Sequence, residues 1–417
     1  MLRFPSRPTL AAAALVVTGV VLVALVAAGC SAAKAPGTGL AASASPSASQ
    51  AAFDVSLQLK ATQPFDAPVT FAVKGGRLEV AMVTRHGHPG TLRGQVAANG
   101  ATWTSLGLPA EGARYDVVAT VADATGVSRL IRAGFWVATR TGGRTLSYYI
   151  TPSSGWTVGV NAPIVIRFNE QVTAQAAVER ALTVLSSRPV VGAWHWISST
   201  EVHFRPEGAW PTHTRVRLVA ALRNIKAGTD LWGGPSQVVD FQTGDSHVAK
   251  VDGTKHTFTV YVNGKLWASW PTSLGRPAFA TRSGNYIVLS KTPMVEMTSC
   301  SVNIACSKTS PNYYDLKVMQ DVRLTWSGTF VHAAPWSVAH QGFANVSHGC
   351  INLSTARATA FYDLVSYGDL VTVVRTARSA QDLIDRQDPG MTDWNTTWKS
   401  WVAGSALKAA VTTGHLV

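Results

Sequence analysis

The chain reads Thr257-Phe258-Thr259-Val260-Tyr261-Val262-Asn263-Gly264-Lys265, and a second strand-like run continues to Trp270. In the first run, large apolar or aromatic residues interleave with threonine, which is typical of a half-buried β-strand. Asn263 and Gly264 both tolerate positive φ, and an Asn-Gly pair between two such runs is typical of a two-residue hairpin turn. The stretch therefore predicts an antiparallel hairpin in a chain built mainly from strands.

The residues around this hairpin indicate one β-rich unit, which we place at residues 246–376. Further strands are predicted at 287–289, 322–326 and 329–331. After them, Ser354 can cap a helix that runs through Tyr367 and stops at Gly368. Residues 370–374 predict a closing strand, so the unit is mostly β with one main helix.

Two more β-rich units precede it, at residues 53–144 and 145–245. In the first, residues 70–73 and 78–83 are strand-like and flank Lys74-Gly75-Gly76-Arg77, which predicts a hairpin. In the second, several short strand-like runs surround one predicted short helix at residues 174–182. Regular strand spacing without a long helix indicates a β-sandwich in each unit. Neither unit contains a convincing cluster of His, Cys or paired carboxylates.

A C-terminal tail at residues 377–417 carries Trp394, Trp398 and Trp401 at the helical spacing i, i+4, i+7. This spacing predicts a helical aromatic stripe that packs against the third unit. The predicted fold class is therefore mainly β, with two β-sandwiches, a β-rich third domain with one main helix, and a Trp-rich helical tail.

Residues 1–29 are typical of an export signal, because Arg3 and Arg7 precede an apolar segment at 10–26 and small residues then lead to Cys30. This junction resembles the lipobox of bacterial lipoproteins, so we expect acylation of Cys30. Ala27 stands where that motif usually has Leu, and plain cleavage or an uncleaved anchor are the alternatives. Residues 30–52 are rich in Ser, Ala, Pro and Gly and predict a flexible linker. The protein is then expected at the cell membrane, anchored by lipid and facing the cell wall.

The chain has 417 residues and a formal net charge of +13. An exported basic protein suits an anionic surface such as wall polymers or lipid headgroups, although the charge can also serve solubility. No nucleic-acid-binding motif is present, and export argues against a nucleic-acid partner.

Three cysteines remain once Cys30 is set aside. Cys300 and Cys306 are close in sequence, and in an oxidising compartment we expect them to form a disulfide; two reduced, buried thiols are the alternative. Cys350 is then left as a free thiol.

Cys350 lies in Ser347-His348-Gly349-Cys350-Ile351-Asn352, and His332 lies eighteen positions upstream. A thiol needs a base or a positive local field to become a nucleophile, and a histidine can supply either. Gly349 lets the backbone approach a substrate closely, so amides near Gly349 and Cys350 could stabilise an oxyanion. The pattern predicts acyl chemistry on Cys350.

Three other interpretations compete with a nucleophile. Cys350 could be a buried structural thiol, or it could pair with Cys300 or Cys306. Cys350, His332 and His348 could also bind zinc, but their spacing matches no common zinc pattern and a fourth ligand is not evident. We therefore expect no metal and no organic cofactor.

The motif around Cys350, together with Val331-His332-Ala333-Ala334-Pro335-Trp336-Ser337, resembles the catalytic motif of the L,D-transpeptidases (the YkuD family). Pro271-Thr272-Ser273-Leu274-Gly275 also resembles an early strand and turn of that family. The order of lipid anchor, two immunoglobulin-like (Ig-like) modules, catalytic domain and Trp-rich tail is similar to the mycobacterial-type enzymes. The segment from Cys300 to Cys306 departs from the family pattern.

The resemblance implies roles for individual residues. Cys350 would be the nucleophile, and His332 would be its base or thiolate partner, oriented by the main-chain carbonyl of Ala333. His348 and Gly349 would line the oxyanion site with Cys350. The implied substrate-binding residues are Tyr314 (with Tyr313 as a competing choice), Ser327, Gly328, Trp336 and Asn352.

The reaction implied by the resemblance begins with attack of Cys350 on the bond between meso-diaminopimelate and the terminal D-Ala of a tetrapeptide stem. A second stem then takes the acyl group and forms a 3→3 peptidoglycan cross-link, and carbapenems acylate the same cysteine. An L,D-carboxypeptidase of the same fold, in which water takes the acyl group, is one alternative. A non-catalytic wall-binding lipoprotein is the other. A sortase is disfavoured because its Thr-Leu-x-Thr-Cys motif is absent.

Overall fold

A computed structural model describes residues 54–386, 388 and 391–416. The export signal, most of the linker and Cys30 lie outside the described residues. Strands dominate this part of the chain, and its longest helix has 10 residues, so the predicted mainly-β class is confirmed. Among the described residues, no helix is long and apolar enough to span a membrane.

The first domain is a β-sandwich. Its strands are β1 (Ser56–Gln58), β2 (Thr62–Gln63), β3 (Thr70–Lys74), β4 (Gly76–Arg85), β5 (Gly94–Val96), β6 (Thr102–Ser105), β7 (Arg114–Asp123) and β8 (Ser128–Val137). One sheet has the order β1-β3-β6-β5 and the other β2-β8-β7-β4. Alternate residues of β7 are buried between the sheets, as expected when one face of a strand meets the core.

The predicted hairpin around Gly75 is wrong, although both strands form. β3 pairs with β1 and β6, whereas β4 pairs with β7 in the opposite sheet. Gly75 has φ +80° and carries the chain from one sheet to the other. A local turn signal does not specify which sheet receives the next strand, because that depends on distant partners.

The second domain is also a sandwich. Its elements are β9 (Arg144–Leu146), β10 (Tyr148–Thr151), β11 (Thr157–Val158), β12 (Ile164–Phe168), α1 (Gln175–Arg180), β13 (Leu182–Ser186), β14 (Val191–Ser198), β15 (Glu201–Pro206), β16 (Arg215–Ala220), β17 (Lys226–Gly228), β18 (Leu231–Gly233) and β19 (Gln237–Thr243). Strands β10-β12-β15-β14 and β11-β19-β16-β13 form the two main sheets, and β17-β18-β9 form a small third one. The short helix predicted at 174–182 corresponds to α1.

The third domain contains β20 (His247–Asp252), β21 (Thr257–Val262), β22 (Lys265–Pro271), β23 (Arg282–Ile287), β24 (Ser290–Thr298), β25 (Asp315–Arg323), β26 (Phe330–Ala333), β27 (Ile351–Leu353), α2 (Thr355–Leu364), β28 (Leu370–Val374) and β29 (Arg378–Ser379). Its sheets have the orders β22-β21-β20-β28-β23-β29 and β24-β25-β26-β27. Helix α2 packs on β25 and β26 and so supports the sheet that carries His332.

Two predictions in this domain have opposite outcomes. The hairpin at Asn263-Gly264 is confirmed: β21 pairs antiparallel with β22, and both turn residues have positive φ, 49° and 77°. Helix α2 ends at Leu364 rather than Tyr367, because Val365 is already extended. Ser354 is at the N-cap position, but its side chain makes no capping hydrogen bond.

The tail forms α3 (Gln381–Asp385), α4 (Thr392–Asn395), α5 (Trp398–Ala403), β30 (Val411–Thr412) and β31 (Gly414–His415). The prediction of one helical stripe on the third domain is wrong, because extended backbone at Thr396 and Thr397 separates α4 from α5. Trp401 packs against Ala193 and Ile197 of the second domain. Strands β30 and β31 extend that domain's two sheets by pairing with β14 and β13.

The aromatic stripe instead surrounds one buried cation. The Arg205 guanidinium lies 4.8, 5.3 and 4.6 Å from the ring centroids of Trp394, Trp398 and Trp401. The tail also contacts the third domain, where the Asn395 side chain accepts from the backbone N–H of Asn285. The tail therefore ties the second and third domains together.

Candidate active site

Two adjacent strands bring His332 and Cys350 together. β26 and β27 are parallel, with His332 opposite Asn352 and Val331 opposite Ile351. Cys350 immediately precedes β27. Both side chains face one cavity of about 350 Å³, whose other lining residues include Tyr314, Trp336, Ser337, His348 and Asn352.

The orientation of His332 leaves one ring nitrogen available to the cavity. The buried ring makes a 2.9 Å hydrogen bond between Nδ1 and the Ala333 carbonyl oxygen. Because a carbonyl only accepts, Nδ1 carries the proton and Nε2 is the free base. Burial lowers the pKa of His332 to about 4, so the imidazole is neutral at pH 7.

Cys350 is the one free cysteine among the described residues, and its thiol is also neutral. The side chain is half-buried, and Sγ lies 3.6 Å from the Gly328 carbonyl oxygen, which accepts its hydrogen. Burial raises the pKa of Cys350 to about 12. The geometry therefore describes a neutral thiol and a neutral base rather than a preformed thiolate–imidazolium pair.

The backbone before Cys350 is held by side-chain hydrogen bonds. Ser347 Oγ donates to the Cys350 carbonyl oxygen at 2.7 Å and accepts from the Gly349 N–H at 3.0 Å. Thr281 Oγ1 donates to the Gly349 carbonyl oxygen at 2.9 Å. Gly349 has φ +126°, a region that favours glycine. These contacts fix the turn that carries Cys350, the predicted nucleophile.

This arrangement corrects one predicted role. Gly349 was expected to line an oxyanion site, but its N–H already donates to Ser347 Oγ. The Gly349 N–H is therefore held within the turn by Ser347. Sequence reasoning did not assign this function to Ser347, and the contact was not predictable from spacing.

His348 forms one wall of the site. Its ring packs 4.9 Å from Tyr314 and 5.0 Å from Phe279, measured between centroids. Arg276 donates to His348 Nε2 at 2.9 Å, which places the ring proton on Nδ1. Burial and the nearby Arg276 charge lower the pKa of His348. Arg276 and Phe279 were missed from sequence because they lie about seventy residues upstream.

The other predicted substrate-binding residues separate into two groups. Tyr314 lines the cavity and Tyr313 does not, so of the two predicted choices it is Tyr314 that lies at the cavity. Trp336 lines it with a half-exposed ring 6.2 Å from His332. Asn352 is buried and donates to Ser337 Oγ at 3.1 Å, which ties β27 to the turn after β26.

Ser327 and Gly328 lie beside the cavity rather than in its lining. The Ser327 N–H donates to Asp388 of the tail at 3.1 Å. The Gly328 carbonyl contacts the thiol, as described above. Gly328 has φ +105°, and a Cβ placed on it would lie 2.9 Å from Val302. A side chain at Gly328 would therefore collide with the loop that contains Val302.

That loop is closed by a disulfide between Cys300 and Cys306. Ser299, which is buried, donates from Oγ to the Ala305 carbonyl oxygen at 2.7 Å and accepts from the Tyr314 N–H at 3.0 Å. The disulfide loop thus supports Tyr314 on one side and contacts Gly328 on the other. The loop itself does not line the cavity, but it contacts two residues that lie close to Cys350.

The two histidines at the cavity already have protein partners. In the part of the chain that the structure describes, no group of three or more His, Cys, Asp or Glu side chains could hold a metal ion. His348 Nε2 is used by Arg276 and His332 Nδ1 by Ala333, so these histidines are oriented by protein groups.

Comparison with known families gives two matches. Residues 60–226 match the model of a bacterial Ig domain, and residues 246–373 match that of the L,D-transpeptidase catalytic domain. The second range contains both His332 and Cys350.

Among curated proteins, L,D-transpeptidase 2 of Mycobacterium tuberculosis is 35% identical over 342 residues, which are 82% of this chain and 81% of that protein. L,D-transpeptidase 1 of the same species is 38% identical over 225 residues, which are 54% of this chain and 83% of that protein.

Among solved structures, LD transpeptidase LdtMt1 in complex with imipenem is 36% identical, with a TM-score of 0.49, and the match covers 56% of this chain and 100% of that one. L,D-transpeptidase 3 from Mycobacterium tuberculosis with a faropenem-derived adduct is 34% identical, with a TM-score of 0.46, over 54% of this chain and 97% of that one.

Proposed function

The chain belongs to the L,D-transpeptidase family, and from this premise we propose that it is a cysteine-dependent acyltransferase that forms 3→3 cross-links between peptidoglycan stems. One observation carries the proposal. His332 and Cys350 lie on and beside neighbouring parallel strands and face the same cavity, with His332 Nε2 left free as a base.

In the first step, Cys350 Sγ attacks the carbonyl carbon between the L-centre of meso-diaminopimelate and the terminal D-Ala, while His332 Nε2 takes the thiol proton. The carbonyl oxygen becomes an oxyanion, which amides at the turn would stabilise. The carbon–nitrogen bond then breaks, His332 returns its proton to the departing D-Ala amine, and a thioester remains on Cys350.

In the second step, the side-chain amine of an acceptor stem attacks the thioester. His332 removes a proton from that amine and passes it to Sγ as the thiol leaves, which restores the neutral pair and forms the new amide bond. If water takes the place of the amine, the product is a tripeptide and the activity is that of an L,D-carboxypeptidase.

The low basicity of His332 is consistent with this sequence of events. A base with a pKa of about 4 is unprotonated at pH 7, so the Nε2 lone pair is available for the thiol proton. Substrate binding would exclude water from the cavity and strengthen the charges that form in the transition state.

We further propose that carbapenem-type β-lactams acylate Cys350. Solved relatives are described as complexes with imipenem and with a faropenem-derived adduct. The free thiol and its neutral base in this chain offer the same nucleophile to a strained lactam carbonyl.

The proposed location is the outer side of the cell membrane, with acylated Cys30 as the anchor. Support comes from the lipobox-like junction at Cys30 and from the basic composition, with a net charge of +13. An anchored enzyme would remain close to newly made wall.

Intact mass spectrometry of residues 53–417 with a disaccharide-tetrapeptide tests the proposed reaction, with Cys350→Ala as the control. An adduct that has lost D-Ala, or a cross-linked dimer, seen only with Cys350 would support the transpeptidase. Tripeptide as the sole product would replace it with a carboxypeptidase, and absence of any product with folded protein would favour a wall-binding role.

A further inference from the structure

The first domain exposes large apolar side chains on one face of the sheet β2-β8-β7-β4. Val80 and Met82 of β4 are 61% and 51% exposed, and Leu130 and Trp136 of β8 are each 56% exposed. The pairing register places Val80 and Leu130 on either side of Thr120, and Met82 opposite Val118 of β7. We call the surface formed by Val80, Met82, Val118, Leu130 and Trp136 the outer face.

This surface is a true sheet face, since the alternate residues of the same strands point into the sandwich. Val83 of β4, Val117 of β7 and Phe135 of β8 are buried. Each strand is thus apolar on both sides at several positions, although only one side is needed for the core. Large clusters of exposed apolar residues are rare on monomeric proteins, and where they occur they mark interaction sites.

The outer face begins where the preceding chain enters the domain. The Asp54 carbonyl lies against the turn before β4, because a Cβ placed on Gly75 would be 2.0 Å from its oxygen. Gly76 pairs with Asp123 at the end of β7, so the β7–β8 turn lies at the same end. Val127 in that turn is 49% exposed. Val127, Val80 and Leu130 therefore lie toward the end of the sheet where the chain enters, and Trp136 lies at the other end of β8.

Basic side chains accompany the apolar ones. The Arg114 guanidinium lies 6.0 Å from the Trp136 ring centroid, and Arg132 is exposed in the row that contains Met82. Two acidic residues lie on or beside this face: Asp116 is engaged by His86 at 2.8 Å and by Arg114 at 3.9 Å, and Glu79 is engaged by Arg77 at 3.3 Å. Exposed tryptophan and arginine beside aliphatic residues match the headgroup region of a bilayer.

We propose that the outer face is a docking surface for the anionic lipid bilayer from which the protein projects. The proposal rests on the proposed anchoring at Cys30, because 23 residues separate that cysteine from Asp54. Such a segment spans at most about 80 Å when fully extended, which keeps the outer face close to the headgroups. Docking there would orient the first domain as a base and direct the other domains toward the wall.

Vesicle co-sedimentation tests the proposal with residues 53–417, which form one compact unit and lack the lipid. The probe is a vesicle of phosphatidylglycerol and phosphatidylcholine, compared with phosphatidylcholine alone. The test variant is Val80→Thr/Leu130→Thr/Trp136→Ser. The matched control is Val238→Thr/Leu266→Thr/Trp267→Ser, whose side chains are also exposed but lie in the other two domains.

The parent protein and the control variant should bind anionic vesicles, and the outer-face variant should bind about tenfold less, since aliphatic and aromatic insertion supplies most interfacial affinity. Arg132→Glu, a single exposed change that preserves the fold, should weaken binding to anionic vesicles selectively. Thermal unfolding verifies that each variant is folded.

Equal vesicle binding by the outer-face and control variants would overturn the proposal. So would a loss of binding to purified peptidoglycan, or of self-association, in place of a loss of vesicle binding. D-Ala release from a soluble tetrapeptide is measured in parallel. Because the outer face is remote from Cys350, that activity should be unchanged, and failure of the proposed chemistry is distinguishable from failure of lipid docking.

Discussion

Raising the pH from about 7 to about 10 tests whether Cys350 and His332 rest as a neutral pair. Burial raises the pKa of the thiol to about 12 and lowers that of the imidazole to about 4. A neutral pair contains almost no thiolate at neutral pH, so a small alkylating reagent should react slowly and accelerate with each unit of pH.

The size of the effect follows from the pKa values. An ordinary cysteine has a pKa of 9.0 and Cys350 one of about 12, so the thiolate population at pH 7 should be about a thousandfold smaller, at a factor of ten per unit. Alkylation should rise about tenfold per pH unit across the whole interval. A thiolate–imidazolium pair would instead react at a rate that is nearly constant over this range.

The assay is iodoacetamide labelling of residues 53–417, followed by intact mass. Cys350→Ala controls for other sites, because Cys300 and Cys306 are joined in a disulfide. His332→Ala distinguishes an effect of His332 on the ionisation of Cys350 from its function as a general base. It should leave the slope of alkylation against pH unchanged, but reduce acylation by a carbapenem about 10²- to 10⁴-fold, the usual contribution of a general base.

A plateau in the alkylation rate between about pH 6 and about pH 9 would refute the reasoning. It would mean that Cys350 is ionised at rest and that His332 is its cationic partner. Loss of that plateau in His332→Ala would identify the histidine as the source of the charge.

Three further predictions concern contacts that hold the site and the tail. Burial alone would lower the pKa of His203, but hydrogen bonds to Asp393 and Glu201 and their charges raise it to about 9. The folding stability that this raised pKa contributes is complete below pH 6.5 and is lost as the pH rises through about 9. Asp393→Ala should therefore cost about 3–5 kcal/mol in urea unfolding near neutral pH. Asp393→Asn, which removes the charge but keeps an acceptor, should cost nearly as much, and a much smaller cost for Asp393→Asn would contradict a charge effect. Trp401→Ala should lower the free energy of unfolding by about 3–5 kcal/mol, because the ring is fully buried and its Nε1 donates to the Ala193 carbonyl oxygen at 2.9 Å. An unchanged urea midpoint would contradict docking of the tail on the second domain. Ser347→Ala should lower the rate of carbapenem acylation about tenfold or more with little change in the free energy of unfolding, because it removes the hydrogen bonds of Ser347 Oγ to Gly349 and Cys350. Ser347→Thr, which restores the hydroxyl, should recover much of the acylation rate. Failure to recover it would argue for a role of Ser347 other than hydrogen bonding.

Parts of the site were predictable because they depend on neighbours in the chain. The motif that ends at Cys350 predicted a nucleophile there, and the need for a base pointed to His332, which the structure places at the same cavity. The contact of His332 with the carbonyl of Ala333 joins adjacent residues, so the family resemblance could imply it. Tyr314 was harder, since the neighbouring Tyr313 carries the same side chain and only its position relative to the cavity distinguishes the two.

Other parts were inaccessible because they join distant segments. Arg276 and Phe279 contact His348 across about seventy residues of sequence. The commitment of the Gly349 N–H to Ser347 depends on the positive φ of a single residue. Neither leaves a periodic signal, so the predicted oxyanion role of Gly349 required correction.

The sequence by itself determined the mainly-β class and the Asn263–Gly264 hairpin, and it predicted acyl chemistry at Cys350. These features rest on local properties: side-chain alternation along a strand, two turn residues that accept positive φ, and a reactive side chain in its motif. Tertiary structure decided that β3 and β4 belong to opposite sheets and that Trp401 docks on the second domain. Amphipathic periodicity shows which side chains seek burial, but the partner surface is chosen by packing and by hydrogen bonds between residues far apart in the chain.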